Sequence, residues 1–102
     1  MPRKDGKTGL CYFLNERGGV KGEATLTNMD GAVWWGSAAA AVQHDMDWLT
    51  ERLPEDGSIR IEDLTDSHNI LVLAGPKSRD ILRAAAPRDD WGNFKWLTAR
   101  WV

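Results

Sequence analysis

A chain of 102 residues with thirteen basic and fifteen acidic side chains, a formal net charge of −2, 42% hydrophobic and 27% charged residues has the make-up of one small globular domain. These values exclude a disordered or fibrous chain, give no basic footprint for nucleic acid or an anionic membrane, and leave no apolar run long enough to span a bilayer and no stretch that reads as a signal peptide. A single cysteine, Cys11, excludes an intrachain disulfide and fits a reducing compartment, so the expectation is a soluble, cytoplasmic protein. Six tryptophans among nine aromatics are more bulky side chain than so short a chain can readily bury.

In chain order, residues 1–9 are polar and glycine-containing and are expected to form a flexible N-terminus, followed by a strand over Leu10–Leu14. Asn15-Glu16-Arg17-Gly18-Gly19 is a turn cluster, and Val20, Ala24 and Leu26 alternate with Thr25 and Thr27, so a hairpin is predicted. Asn28 to Gly31 turns the chain again into a short strand, Ala32–Trp35, in which adjacent Trp34 and Trp35 must point to opposite faces. Val42, Met46, Leu49 and Leu53 form the apolar stripe of a helix with Ser37 as its natural N-cap and Pro54 beyond its end. Ile59, Ile61 and Leu64 suggest a half-buried strand, and Ile70–Ala74 a more fully buried one. Gly75-Pro76 opens a second helix carrying Ile81, Leu82 and Ala85. The tail, with Trp91, Phe94, Trp96, Leu97 and Trp101, reads as a loop entering an extended segment. The fold class expected is α+β: a mainly antiparallel sheet with two helices packed on it.

The chemistry-bearing residues are few. His44 and Asp47 lie three apart on one helix, a usable ligand spacing, but a third ligand lacks sequence support and a solvated helix face is the plainer reading for them and for Asp45. Gly18-Gly19-x-x-Gly22 runs from strand to strand, not into a helix N-terminus, so it is a hairpin turn and not a phosphate loop. No Gly-x-Ser-x-Gly elbow accompanies the serines and histidines, which removes nucleophilic catalysis. Glu23 interrupts an apolar and threonine-rich strand just after the turn; its carboxylate either points to solvent or projects into a cleft where it can bind a cationic or amine group.

Tyr12-Phe13-Leu14-Asn15-Glu16-Arg17-Gly18-Gly19-Val20, then Thr25-Leu26-Thr27 and His44-Asp45-Met46-Asp47-Trp48-Leu49, resemble the folate-binding region of the sarcosine and dimethylglycine dehydrogenases. Leu71-Val72-Leu73-Ala74-Gly75-Pro76-Lys77-Ser78-Arg79-Asp80-Ile81-Leu82 resembles the second signature of that region, and Phe94-Lys95-Trp96-Leu97-Thr98-Ala99-Arg100 its continuation. The same region is shared with the glycine-cleavage aminomethyltransferase, the T-protein. The resemblance implies that residues 10–102 are part of a folate-binding aminomethyltransferase-type domain. Its cofactor would be tetrahydrofolate, which captures as 5,10-methylenetetrahydrofolate the carbon released when an N-methylated glycine derivative is oxidised. FAD would sit on a separate flavin domain, whose Gly-x-Gly-x-x-Gly fingerprint this sequence lacks. Glu23 matches the family carboxylate, usually Asp, that sits beside the folate and assists transfer; Tyr12 and Ser37 match positions lining the pocket. No Tyr-x-Gly-Glu-like motif of the family's second half is found, so the expectation is a fragment carrying one wall of the folate site, with the remaining half-domain and the flavin domain as its partners. A non-catalytic interaction module in which Glu23 is inert, and a folate-dependent demethylase relative, are the alternative readings.

Overall fold

A computed structural model describes all of residues 1–102. Three antiparallel strands form one sheet in the order β1 (Lys7–Leu14), β2 (Val20–Met29), β3 (Ala32–Gly36). A turn of 3-10 helix at Ala39–Ala41 leads into α1 (Val42–Thr50), and α2 spans Ser78–Ala85. The α+β class and the antiparallel sheet read from the sequence are therefore present.

The two hairpins have local causes. Asn15 closes the β1–β2 turn: its side-chain oxygen accepts from the N–H of Arg17 at 3.0 Å and of Gly19 at 2.8 Å, while Gly18 takes a φ of +76°. Between β2 and β3 the two-residue loop Asp30-Gly31 has φ values of +53° and +76°, the pair of positive angles that a type I′ turn needs and that matches the twist of the flanking strands.

Alternation along the strands sorts the side chains into two faces. One carries Cys11, Phe13, Ala24, Leu26 and Trp35, and α1 lies over it. Phe13 is wedged there, 5.3 Å from the Trp35 ring and 4.9 Å from the Trp48 ring. Opposite Phe13 stands Gly22, and any Cβ at that position would collide with the Phe13 ring, so the glycine makes the wedge possible. The other face carries Leu10, Tyr12, Glu23, Thr25 and Trp34, and the 68–70 segment and Trp101 cover its β3 end: Trp34 meets the His68 ring edge-on at 5.6 Å and the Trp101 ring at 5.8 Å. Trp34 and Trp35 do face opposite ways.

Several elements differ from the sequence expectation. Residues 5–9 are not a frayed terminus, because β1 starts at Lys7 and the chain before it is tied down. The N–H of Gly6 donates to the carbonyl of Asn28 at 2.8 Å, its carbonyl accepts from Ala99 at 2.9 Å, and Asp5 accepts from the N–H of Asp30. Ser37 does not cap α1; the helical turn begins at Ala39 after an Ala38 N-cap with no side-chain bond, and α1 itself starts at Val42. Ile59–Leu64 and Ile70–Ala74 form no strands. Both have strand-like patterns, but a strand exists only where a second strand pairs with it, and here none lies alongside. Helix α2 is tied not to the sheet but to the loop beyond it, where Arg79 donates to the carbonyls of Trp91 and Phe94. Trp91 is the buried centre of that loop, donating its indole N–H to the carbonyl of Ala86 at 2.8 Å, with the Arg100 guanidinium over its ring at 5.3 Å. Neither helix is long and apolar enough to cross a membrane.

Candidate functional site

Tyr12 and Glu23, far apart in the sequence pattern, are direct cross-strand partners in the β1–β2 ladder, so their side chains stand together on the sheet face that α1 leaves free. Both are exposed, and Glu23 forms no ion pair. Leu10 and Thr25 form the next rung, and beyond them Thr27 donates its hydroxyl to that of Thr8 at 2.9 Å, closing this row of side chains with a polar clasp. An aromatic ring beside an ionised carboxylate on an open sheet can support a flat heteroaromatic molecule and favour positive charge developing next to it.

Ser37, the third residue singled out in the sequence, is not part of that pair. It lies beside Asp45, a carboxylate buried under the α1 side of the sheet, and helps to lower its pKa. Asp45 accepts the indole N–H of Trp35 at 3.2 Å and lies 3.1 Å from Nδ1 of His44. Burial pushes the Asp45 carboxyl upward, but the Ser37 hydroxyl, the hydrogen bonds from His44 and Trp35 and the charge of His44 outweigh it, so its pKa lies below the ordinary carboxylate range. The solvated-face reading therefore fails for Asp45, although it describes Asp47, which is exposed and accepts from Gln43 at 2.7 Å. The signal was present in the sequence: Val42, Asp45, Met46 and Leu49 follow the i, i+3, i+4, i+7 spacing of the buried stripe, which makes Asp45 the polar member of an apolar face.

His44 and Asp47 are not joined by a third ligand, and no group of three histidine, cysteine or carboxylate side chains is close enough to hold a metal ion. His68 pairs with the Ser67 hydroxyl at 2.8 Å and meets Trp34 edge-on, away from His44. The Gly18-Gly19-x-x-Gly22 run is the hairpin turn that the spacing suggested.

Comparison with known proteins gives one family. The model of the GCVT N-terminal domain matches residues 1–102. Human mitochondrial dimethylglycine dehydrogenase is 27% identical over 88 residues, covering 84% of this chain and 10% of that protein. An aminomethyltransferase of Prosthecochloris aestuarii is 27% identical over 79 residues, 76% of this chain and 22% of its own length. The mitochondrial pyruvate dehydrogenase phosphatase regulatory subunit of Mus musculus is 30% identical over 71 residues, 69% of this chain and 8% of that protein. The chain thus spans a tenth of the dehydrogenase and about a fifth of the aminomethyltransferase. No solved structure matches it.

Proposed function

The chain belongs to the GCVT N-terminal domain family, and on that premise we propose that it forms one wall of a tetrahydrofolate site for one-carbon transfer in a protein of the dimethylglycine or sarcosine dehydrogenase type. The observation that carries the reading is the family match over the whole chain; the Tyr12–Glu23 pair on the free sheet face supports it. The donor set suits the ligand: a planar bicyclic ring with basic nitrogens can lie against the Tyr12 ring, and the Glu23 carboxylate beside it can orient an amine and offset positive charge near it. Tetrahydrofolate would supply the nitrogens that accept the one-carbon unit. Glu23 would hold the site's negative charge in place of the Asp usual in the family, and Tyr12 would fix the plane of the ring. Ser37 contributes indirectly, through Asp45 and Trp35. The oxidation that releases the carbon from an N-methylated glycine belongs, on this reading, to a flavin domain on other residues.

Calorimetric titration with tetrahydrofolate tests the proposal. Binding is expected for the chain, with Glu23→Gln weakening it about tenfold, or roughly 1.4 kcal/mol. No heat of binding with either protein would sink it. The second reading is a non-catalytic interaction module, and the similarity to a protein named as a regulatory subunit favours it. It predicts that Glu23→Gln changes nothing measurable.

A further inference from the structure

β1 is an edge strand: β2 pairs with one side of it, and only the tail pairs with the other, while Met1 borders the cleft beside it. The N–H of Thr8 points outward and donates to the carbonyl of Leu97 at 3.2 Å. Backbone groups alternate in direction along an antiparallel strand, so the amides and carbonyls of Leu10, Tyr12 and Leu14 point to that same outer side. No other segment pairs with them. The tail shows what the edge accepts. Thr98 bridges Lys7 in the antiparallel sense, and then Leu97, at a φ of +50°, turns the chain off the strand before it can continue past Leu10. Natural edges are commonly guarded by lysine, proline or a cover. From Leu10 to Leu14 this one carries none of these residues.

Beside the open edge lie two clefts that meet at Trp48. The first, about 420 Å³, has Phe13, Leu26, Trp35 and Trp48 among its apolar lining. The second, about 780 Å³, is lined at the hairpin turn by Arg17, Lys21 and Arg52. Glu16 and Glu51 also border it, but Arg52 already engages Glu51 at 3.0 Å, and neither Arg17 nor Lys21 has a carboxylate partner. The rim is held in place. Arg52 lies over the Trp48 ring at 4.3 Å and donates to the Trp48 carbonyl at 2.9 Å, and Asn15 locks the turn that carries Arg17.

We propose that this edge docks an extended segment of a partner protein, apolar where it runs beside Leu10–Leu14 and acidic where it passes the hairpin turn. Backbone pairing with Leu10, Tyr12 and Leu14 supplies affinity, and every second side chain of the added strand drops towards Phe13, Trp35 and Trp48. Running antiparallel to β1, as the tail does, the segment has its carboxylates ahead of the apolar run, where they meet Arg17 and Lys21, a local positive rim on a chain whose net charge is −2. Charge also argues against a second copy as occupant: a second β1 laid antiparallel and centred on Tyr12 would bring Lys7 of each copy opposite Arg17 of the other. This docking is independent of the folate reading.

Fluorescence anisotropy of the full chain with three labelled peptides is the test. The first is Glu-Glu-Glu-Val-Thr-Val-Thr-Val, the second begins with three lysines instead, and the third is the acid-ended peptide with its central valine replaced by proline. The acid-ended peptide is expected to bind, the lysine-ended one about tenfold more weakly, and the proline peptide not measurably. Arg17→Glu with Lys21→Glu, both exposed positions, should reverse the charge preference while circular dichroism stays unchanged, and Arg60→Glu on the far segment should leave it intact. Equal binding of the acid-ended and lysine-ended peptides, or undiminished binding of the proline peptide, overturns the proposal. So does a concentration-dependent dimer in sedimentation velocity that Tyr12→Pro dissolves, because the edge would then belong to a second copy.

Discussion

Asp45 sets the pH behaviour of the α1 side of the sheet. Its folded-state pKa is depressed, so its contribution is fully present above the ordinary carboxylate pKa and is lost as pH falls through the folded value. Stability should therefore decline on acidification from about pH 4 downward. Asp45→Asn should flatten that decline and weaken the fold at neutral pH by about 1–3 kcal/mol, because a charged acceptor for the Trp35 indole and for His44 is lost. Thermal unfolding followed by tryptophan fluorescence from pH 7 to pH 2 reads both effects, and identical pH profiles for the two proteins would refute the assignment. At this scale the sequence was informative where chemistry and spacing agree. Alternation put Trp34 and Trp35 on opposite faces, and the turn residues placed the hairpin, but nothing in the local pattern says that Tyr12 and Glu23 are neighbours. Their adjacency is a matter of register, fixed by Asn15 and by the irregularity between Phe13 and Leu14.

Among the elements, the apolar residues of β2 fall mostly at alternate positions while the Ile70–Ala74 segment is apolar throughout, and their fates are the reverse of what that suggests. β2 is paired on both sides, whereas residues 69–74 make no backbone hydrogen bonds and Leu71 and Val72 are 90% and 87% exposed. Hydrogen–deuterium exchange should show the amides of 69–74 exchanging at close to unprotected rates while Ala24 and Leu26 are slowed by orders of magnitude. Protection of 69–74 comparable to that of β2 would contradict this arrangement. The strand pattern of these residues was legible and their pairing was not, since hydrophobic periodicity reports what a segment can do and pairing depends on a partner elsewhere. The same limit applies to α2. Ile81 and Leu82 suggested a face for the sheet, yet Ile81 is exposed and the helix is fastened through Arg79 to the Trp91 loop. Helix α1 was legible as an element, but the side chains it sets against the Phe13–Trp35 wedge are His44, Asp45 and Trp48, none of them in the apolar stripe read from the sequence.

For the whole molecule, only six of 102 residues are buried, and the accessible surface is 8497 Å². A compact monomer of this mass would expose about 5,800 Å². Its radius of gyration is 15.9 Å where about 13 Å is usual for this length. The tryptophan excess is thereby accounted for: Trp35, Trp48 and Trp91 are used inside, while Trp96 and Trp101 remain largely in water. Taken alone, the chain should bind a hydrophobic dye at neutral pH and unfold over a broad range with a stability below the ~5 kcal/mol lower end of ordinary domains. A sharp transition above ~65 °C without dye binding would contradict so open an apolar surface. The docking of the tail has a further, optical consequence. Trp34 and Trp101 meet edge-on at 5.8 Å, with the Trp101 indole N–H donating to Asp30. Two indole transitions held so close at a fixed angle couple as an exciton and rotate polarised light with a signed pair of bands. That couplet exists only while the end of the chain lies across the sheet, giving a spectroscopic signature of one contact in a molecule with six indoles.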